Sequence, residues 1–186
     1  MTRSMPNLGY LHLRDNKIKT IEENSFVNLT NLYFLNLGNN VISVIKENAF
    51  VNLPGLQYLY LNNNNITVLD PQMTRSMPNL YRLHLYGNKI KTIEENFFVN
   101  LTNLRELYID NNNITVLDPK MTRSMPNLGY LHLRDNKIKT IEENSFVNLT
   151  NLYFLNLGNN VISVIKENAF VNLPGLQYLY VQHFYI

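Results

Sequence analysis

Leucine recurs at 24-residue intervals along the whole chain, and this period limits the fold more than any other feature. The leucines that open the units are Leu8, Leu32, Leu56, Leu80, Leu104, Leu128, Leu152 and Leu176. The pattern that follows reads, in the first unit, Leu8-x-x-Leu11-x-Leu13-x-x-Asn16-x-Ile18-x-x-Ile21, then Phe26 and Leu29. One such unit is too short to bury its own apolar side chains. A fixed period therefore predicts a solenoid of stacked units with one continuous core.

The alternation inside each unit predicts one short strand. Leu11 and Leu13 are two residues apart and share one face, while Tyr10, His12 and Arg14 take the other. Equivalent strands stacked about 4.8 Å apart make a parallel sheet. We therefore expect a sheet with leucines facing the core and a varied set of side chains facing solvent.

An asparagine follows the strand in every complete unit. These residues are Asn16, Asn40, Asn64, Asn88, Asn112, Asn136 and Asn160. A side-chain amide at the turn donates and accepts at once, so it can bond its own turn and the neighbouring one. Because a buried polar group without partners is costly, such a column makes sense only in a stack. We predict a structural asparagine ladder.

These residues resemble the leucine-rich-repeat family, in the class with 24-residue units and a late phenylalanine. Toll-like receptor ectodomains, Slit, chaoptin and variable lymphocyte receptors contain this class. The resemblance covers seven complete units and an eighth begun at Leu176. It implies an α/β solenoid, a horseshoe with a concave parallel sheet of about eight short strands and a mostly irregular convex side, as one domain over residues 1–186. Extracellular members usually carry cysteine-rich caps, and this chain has no cysteine.

The late apolar column is interrupted. Phenylalanine occupies it at Phe26, Phe50, Phe98, Phe146 and Phe170, whereas the other units have Thr2, Thr74 and Thr122, each preceded by Met1, Met73 or Met121. Methionine is a flexible side chain that fills irregular gaps in cores. We expect it to replace part of the missing ring.

Residues 121–180 are identical to residues 1–60, an offset of five units. Natural duplication and deliberate construction both account for this identity. Five strand spacings of ~4.8 Å place the two copies of the surface about 24 Å apart along the sheet. A repetitive or dimeric partner would gain avidity from two such copies.

The solvent-facing strand positions are rich in tyrosine. The candidate partner-binding residues are Tyr10, His12, Phe34, Tyr58, Tyr60, Arg82, His84, Tyr86, Glu106, Tyr108, Asp110, Tyr130, His132, Phe154, Tyr178 and Tyr180. Tyrosine is enriched at binding hot spots and in paratopes, although aromatic residues also favour strands for their own sake. Family members bind partners by this concave face, so the resemblance implies a protein or peptide ligand.

No residue set predicts catalysis, a cofactor or a metal. His12, His84 and His132 share one column but are two or three units apart, too far for zinc ligation. His132 and Arg134, beside Glu106 and Asp110, predict a polar patch. The net charge of +2 does not favour nucleic-acid binding, and no apolar run approaches the ~18 residues of a membrane span. We predict a non-enzymatic binding module.

Two further expectations concern the outer surface and the ends. Asn-x-Thr acceptor sites for glycans occur at Asn28, Asn65, Asn100, Asn113 and Asn148. The resemblance favours an extracellular or secreted protein, although we expect no signal peptide in the first residues of this sequence, because they include no apolar run. The alternative function is a self-associating structural or designed scaffold, a homo-oligomer joined through uncapped ends. At the C-terminal end the exposed core would be Leu176, Leu179, Val181, Phe184 and Ile186.

Overall fold

Eight strands form one parallel sheet in the computed structural model, which describes residues 5–181 apart from the side chain of Glu95. The strands are β1 (Tyr10–His12), β3 (Phe34–Asn36), β5 (Tyr58–Tyr60), β6 (Arg82–His84), β7 (Glu106–Tyr108), β8 (Tyr130–His132), β10 (Phe154–Asn156) and β12 (Tyr178–Tyr180). Neighbours in the sheet come from consecutive units, and paired residues are 24 positions apart, as in Tyr10 opposite Phe34. The predicted solenoid with a parallel sheet of eight strands is confirmed.

The opposite side of the solenoid has only short elements. Two-residue strands pair there as β2 (Thr20–Ile21) with β4 (Val44–Ile45), and β9 (Thr140–Ile141) with β11 (Val164–Ile165). Single helical turns occur between these pairs, two of them 3₁₀ (Pro71–Thr74 and Glu95–Phe98) and one α-helical (Pro119–Thr122). The carboxylates of Asp70 and Asp118 each accept a hydrogen bond from a backbone N–H two residues later, at 2.8 Å. Each Asp-Pro pair thus begins a helical turn, because aspartate caps it and proline suits its first position.

Leucines and phenylalanines fill the space between the two sides. Leu35 and Leu59 are fully buried, as are the equivalent leucines of the following units through Leu155. Two pairs of phenylalanines stack along the late column, Phe26 on Phe50 and Phe146 on Phe170, each with ring centroids 5.5 Å apart. The core is therefore continuous from unit to unit, as expected for units that are each too short to bury their own apolar side chains.

Threonine replaces phenylalanine in the late column at Thr74 and Thr122. Met73 and Met121 are buried, consistent with the expected gap-filling role. Thr74 and Thr122 are buried as well, and their hydroxyls donate to the backbone carbonyls of Phe97 and Val147 in the next unit. Each threonine therefore replaces ring packing with a hydrogen bond between units. The third such pair, Met1 and Thr2, lies outside the described residues.

The predicted asparagine ladder joins each turn to the one before it. Its buried members, each 6–7% exposed, are Asn40, Asn64, Asn88, Asn112, Asn136 and Asn160. Asn136 is representative: its Oδ1 accepts from the backbone N–H of Ile114 at 3.0 Å, and its Nδ2 donates to the carbonyls of Ile109 and Leu133 at 3.1 Å. The side chain satisfies backbone groups of two units at once.

Asn16 departs from the expected ladder. Its side chain is exposed, and among residues 5–181 its amide donates only to carbonyls of its own turn, those of Leu13 and Arg14, at 3.0 Å. The ladder bonds always point toward the preceding unit, and the described residues include no complete unit before Asn16. Burial of a ladder amide thus depends on contact with the preceding unit and does not follow from the asparagine residue alone.

A second periodic set of asparagines was missed by the sequence analysis. Asn31, Asn79, Asn103, Asn127 and Asn151 each donate to a backbone carbonyl 25 residues earlier, at 2.8–3.0 Å. They directly precede leucines that open the units, so their 24-residue spacing could have identified them as a second structural column. These bonds lie just before five strands, β3, β6, β7, β8 and β10, and connect the units there as the ladder does at the ends of the strands.

Candidate functional site

One broad surface collects all the candidate partner-binding residues. It consists of the outward-facing side chains of the eight-stranded sheet, together with Tyr86 and Asp110, which lie two residues after the ends of β6 and β7. We call this surface the strand face. The side chains of Tyr10, Tyr130, Tyr178 and Tyr180 are its most exposed aromatics, from 39% to 63%. The remaining tyrosines are half-buried against one another.

A continuous line of ring contacts crosses the strand face. It runs His12–Phe34–Tyr60–His84–Tyr108–His132–Phe154–Tyr180, with centroid separations of 4.7, 5.1, 4.3, 4.4, 4.4, 4.7 and 5.5 Å. We call this line the aromatic ridge. It reaches every strand of the sheet. Six of its rings come from the last residue of a strand, whereas β3 and β10 end in Asn36 and Asn156 and contribute Phe34 and Phe154 from their first position. Ring pairs at these separations attract each other beyond simple burial, so the ridge is held in place before any partner arrives.

Tyrosines outside the strands widen this surface. Tyr33 packs between Tyr10 and Tyr58, with ring centroids 5.6 and 5.1 Å away. A hydrogen bond between the hydroxyls of Tyr33 and Tyr58 raises the pKa of Tyr58. Tyr153 and Tyr178 are related in the same way, and their hydrogen bond raises the pKa of Tyr153. The hydroxyls of Tyr58 and Tyr153 therefore stay protonated and neutral at pH 7.

An ion pair occupies the centre of the strand face. Arg82 Nη2 donates to Glu106 Oε1 at 2.7 Å, and Nε lies 2.7 Å from Oε2. The Tyr108 hydroxyl donates to Glu106 Oε2 at 3.2 Å, and the Arg82 guanidinium lies 5.6 Å from the ring centroid of Tyr58. The hydrogen bond to Glu106 is the main cause that raises the pKa of Arg82. The two charges cancel, so the centre is polar without a net field.

Two histidines of the ridge are neutral at pH 7. Burial, and secondarily the positive charge of Arg82, lowers the pKa of His84 to about 4. Burial also lowers the pKa of His132. Within residues 5–181 the Nε2 atom of His84 is buried without a hydrogen-bond partner. His84 therefore acts in the ridge as an aromatic ring between Tyr60 and Tyr108, without carrying charge.

The residues of the predicted polar patch, His132, Arg134, Glu106 and Asp110, do not form one cluster of ion pairs. Glu106 pairs with Arg82, and Arg134 pairs with Asp135, with Nε 3.2 Å from Oδ2. Asp110 accepts from the backbone N–H of Arg134 at 3.1 Å, while burial raises the pKa of its carboxyl to about 6. No group of three histidine, cysteine, aspartate or glutamate side chains in the described part of the chain is placed to hold a metal ion.

The glycan acceptor sites lie apart from the strand face. Asn28 and Asn148 are exposed, whereas Asn65, Asn100 and Asn113 are half-buried. Asn28 and Asn148 also have left-handed backbone, with φ of 66° and 70°, at turns opposite the strands. Glycosylation at any of the five remains a prediction, and Asn28 and Asn148 are the better presented.

Sequence spacing located the columns of the strand face but not the contacts among them. The pairing of Arg82 with Glu106 had a signal, because both hold the same position in consecutive units. The ridge had none, since Phe34 and Phe154 contact residues of the other column through their ring orientation. Contacts of this kind depend on side-chain packing across the sheet.

A family model described as leucine rich repeat matches the chain over residues 6–66, 54–114, 102–162 and 126–183. These matches together cover nearly the whole chain. The chain belongs to the leucine-rich-repeat family. The fold of this family is in general a scaffold for protein interactions, and the strand face is the concave side of its horseshoe.

Solved structures with the same repeat are similar over most of this chain. A Leptospira interrogans leucine-rich-repeat protein is 30% identical with a TM-score of 0.84, over 95% of this chain and 43% of its own. TLR13, solved in complex with a single-stranded RNA, is 27% identical with a TM-score of 0.85, over 92% and 24%. Toll in the glycosylated Toll–Spatzle complex of Drosophila is 26% identical with a TM-score of 0.88, over 94% and 24%.

This chain thus spans 24–43% of the length of these relatives. A search of curated proteins finds no match. Among residues 5–181, no helix has the length and apolar character needed to cross a membrane.

Proposed function

We propose that this protein is a non-enzymatic recognition module that binds a polypeptide along the aromatic ridge. The observation that carries the proposal is the continuity of the ridge, which extends over all eight strands without a break. A preorganised row of rings offers large apolar contact area at little cost in side-chain entropy. The hydroxyl tips of its tyrosines add hydrogen-bonding groups to the same surface.

The charges of the strand face favour a polypeptide over a polyanion. Arg82 is neutralised by Glu106, and the exposed Arg134 is paired with Asp135. Affinity for nucleic acid comes mainly from unpaired cations that contact phosphates. We therefore expect weak or no binding of single-stranded RNA, although TLR13 was solved with such a ligand.

The test is a selection followed by a matched pair of variants. Peptides are selected from a random display library on the immobilised protein, and their affinities are measured for two variants. The ridge variant replaces Phe34, Tyr60, Tyr108 and Phe154 by alanine. The control variant replaces Val68 and Val116 by serine, because these valines are 72% and 61% exposed but lie outside the strand face.

We expect the ridge variant to lose binding by a hundredfold or more, since aromatic hot spots each contribute on the order of 2 kcal/mol. The control variant should bind as the parent does. Circular dichroism establishes that both variants are folded. Equal affinity of the parent and a folded ridge variant would exclude this function.

Self-association is the second candidate function. Leu179 in β12 is 44% exposed, unlike Leu155 in β10, which is fully buried. Of the predicted end residues, Leu176 and Val181 are half-buried, and Phe184 and Ile186 lie outside the described residues. Light scattering coupled to size exclusion tests this candidate. A constant monomer mass over a hundredfold range of concentration would remove it.

A further inference from the structure

The strand face contains the same aromatic patch twice. The first copy consists of Tyr10, His12, Tyr33, Phe34, Tyr58 and Tyr60, and the second of Tyr130, His132, Tyr153, Phe154, Tyr178 and Tyr180. Ring separations agree closely between the copies. The histidine lies 4.7 Å from the phenylalanine in both, and the flanking tyrosine lies 5.1 Å from Tyr58 in one and 5.2 Å from Tyr178 in the other.

The two patches point in the same direction. All eight strands are parallel, and β8 is five positions along the sheet from β1. Moving one patch onto the other therefore needs a shift of five strands and no reversal of direction. At ~4.8 Å per strand this shift is about 24 Å along the backbone, and it is somewhat shorter at the ring tips of a concave face.

The surface between the patches differs from both. The intervening strands β6 and β7 contribute the Arg82–Glu106 ion pair and the rings of His84 and Tyr108. A ligand that covers both patches meets apolar rings, then a neutral polar centre, then the same apolar rings again. Its own sequence must repeat accordingly.

We propose that the partner is a polypeptide that carries one apolar epitope in head-to-tail tandem, with both copies pointing the same way. This inference rests on the proposed function and specifies its ligand. A partner dimer with two-fold symmetry presents its epitopes in opposite directions, so only one of them fits a patch. A head-to-tail repeat fits both and gains the avidity of an intramolecular second contact.

The experiment compares two ways of joining one peptide. A peptide from the display selection is made as a monomer, as a head-to-tail tandem with a flexible glycine-serine linker of about 20 residues, which spans ~24 Å, and as two copies joined through their C-termini with equal reach. Calorimetry with the parent protein should give two peptide monomers per chain. The tandem should bind a hundredfold or more tighter than the monomer, and the C-terminally joined pair should gain little.

Single-patch variants are the controls. Phe34→Ala or Phe154→Ala should each reduce the stoichiometry of the monomer to one and return the tandem to the affinity of the monomer. Tyr33→Ala and Tyr153→Ala provide a second pair outside the strands, should either phenylalanine variant fail to fold. A stoichiometry of one for the parent, or equal affinities of the two joined peptides, would overturn the inference.

Failure of the proposed function gives a different result. In that case the peptide monomer binds the four-residue ridge variant as well as it binds the parent. Loss of binding to the ridge variant, combined with no advantage for the tandem, would refute only the head-to-tail partner.

Discussion

Replacing Asn136 by alanine is expected to destabilise the protein much more than the same change at Asn16. The comparison is closely matched, because residues 121–180 repeat residues 1–60 and the two asparagines have the same local sequence. Asn136 is 6% exposed and bonded to the preceding unit, whereas Asn16 is exposed and bonded only to its own turn. Any difference in stability therefore reports the contact between units.

The magnitude follows from the groups that lose a partner. Without Asn136, the buried N–H of Ile114 loses its acceptor, which costs about 1–3 kcal/mol. The carbonyl of Leu133 keeps a donor in Asn160, at 3.0 Å, so deleting this bond costs only the net value of about 1 kcal/mol. The carbonyl of Ile109 likewise keeps its bond to an amide of its own turn. Losing this bond therefore also costs about 1 kcal/mol, and the sum is about 3–5 kcal/mol for Asn136→Ala. Removing the exposed Asn16 should cost about 1 kcal/mol or less.

Urea unfolding followed by circular dichroism measures both variants. With a slope of about 2–3 kcal/mol per molar urea, Asn136→Ala should lower the midpoint by more than about 1 M, and Asn16→Ala by less than about 0.5 M. Asn136→Asp is a useful third variant, since its carboxylate can accept from Ile114 but cannot donate. Equal midpoints for the two alanine variants would show that the ladder contributes nothing through the neighbouring unit.

Four further predictions concern the strand face and its turns. Gly87→Ala should destabilise the protein by about 1–2 kcal/mol in thermal unfolding, because the glycine has φ of +68° and a side chain there is strained; an unchanged melting temperature would contradict this. The imidazole of His84 should titrate near pH 4 by nuclear magnetic resonance; since its pKa is lower when folded than when unfolded, it weakens the fold as pH falls from about 6.5 to about 4. Asp110, with its pKa raised to about 6, has the opposite effect and stabilises the fold over about pH 6 to 4, so Asp110→Asn should steepen the acid loss. Arg82→Met should lower the free energy of unfolding by about 2–3 kcal/mol, because it leaves the buried Glu106 carboxylate without its positive partner. Adding Glu106→Leu should restore most of this stability in urea unfolding, and no recovery would refute the ion-pair explanation.

Much of the fold was predictable because the period of the repeat determines it. A leucine or asparagine that recurs every 24 residues occupies one column of a stack, so the strands, their parallel pairing and their register follow from counting. The same counting identified every residue of the strand face. It did not identify the aromatic ridge or the hydroxyl pairs of tyrosines, because these depend on the ring orientations that neighbouring side chains allow.

Identical segments adopt different secondary structure in this protein, so the difference between them must come from tertiary contacts. The eight-residue sequence Asn-Lys-Ile-Lys-Thr-Ile-Glu-Glu occurs at residues 16–23 and again at 88–95. In the first copy Thr20-Ile21 forms a strand, whereas in the second copy Thr92-Ile93 does not. The first lies beside Val44–Ile45, which pairs with it, whereas the second lies beside a unit that an Asp-Pro pair turns into a helix. A strand needs a partner for its backbone groups, and that partner belongs to another unit.

The curved parallel sheet and its tyrosine-rich strand face were thus determined by the sequence alone, because each unit repeats the same columns. Tertiary structure decided which copies of a repeated residue are buried or paired. Asn136 is buried and its amide bonds to the carbonyl of Ile109 in the preceding unit, whereas the amide of the exposed Asn16 bonds to carbonyls of its own turn. In a stack of units, the environment of a residue is set by the neighbouring unit as much as by its own.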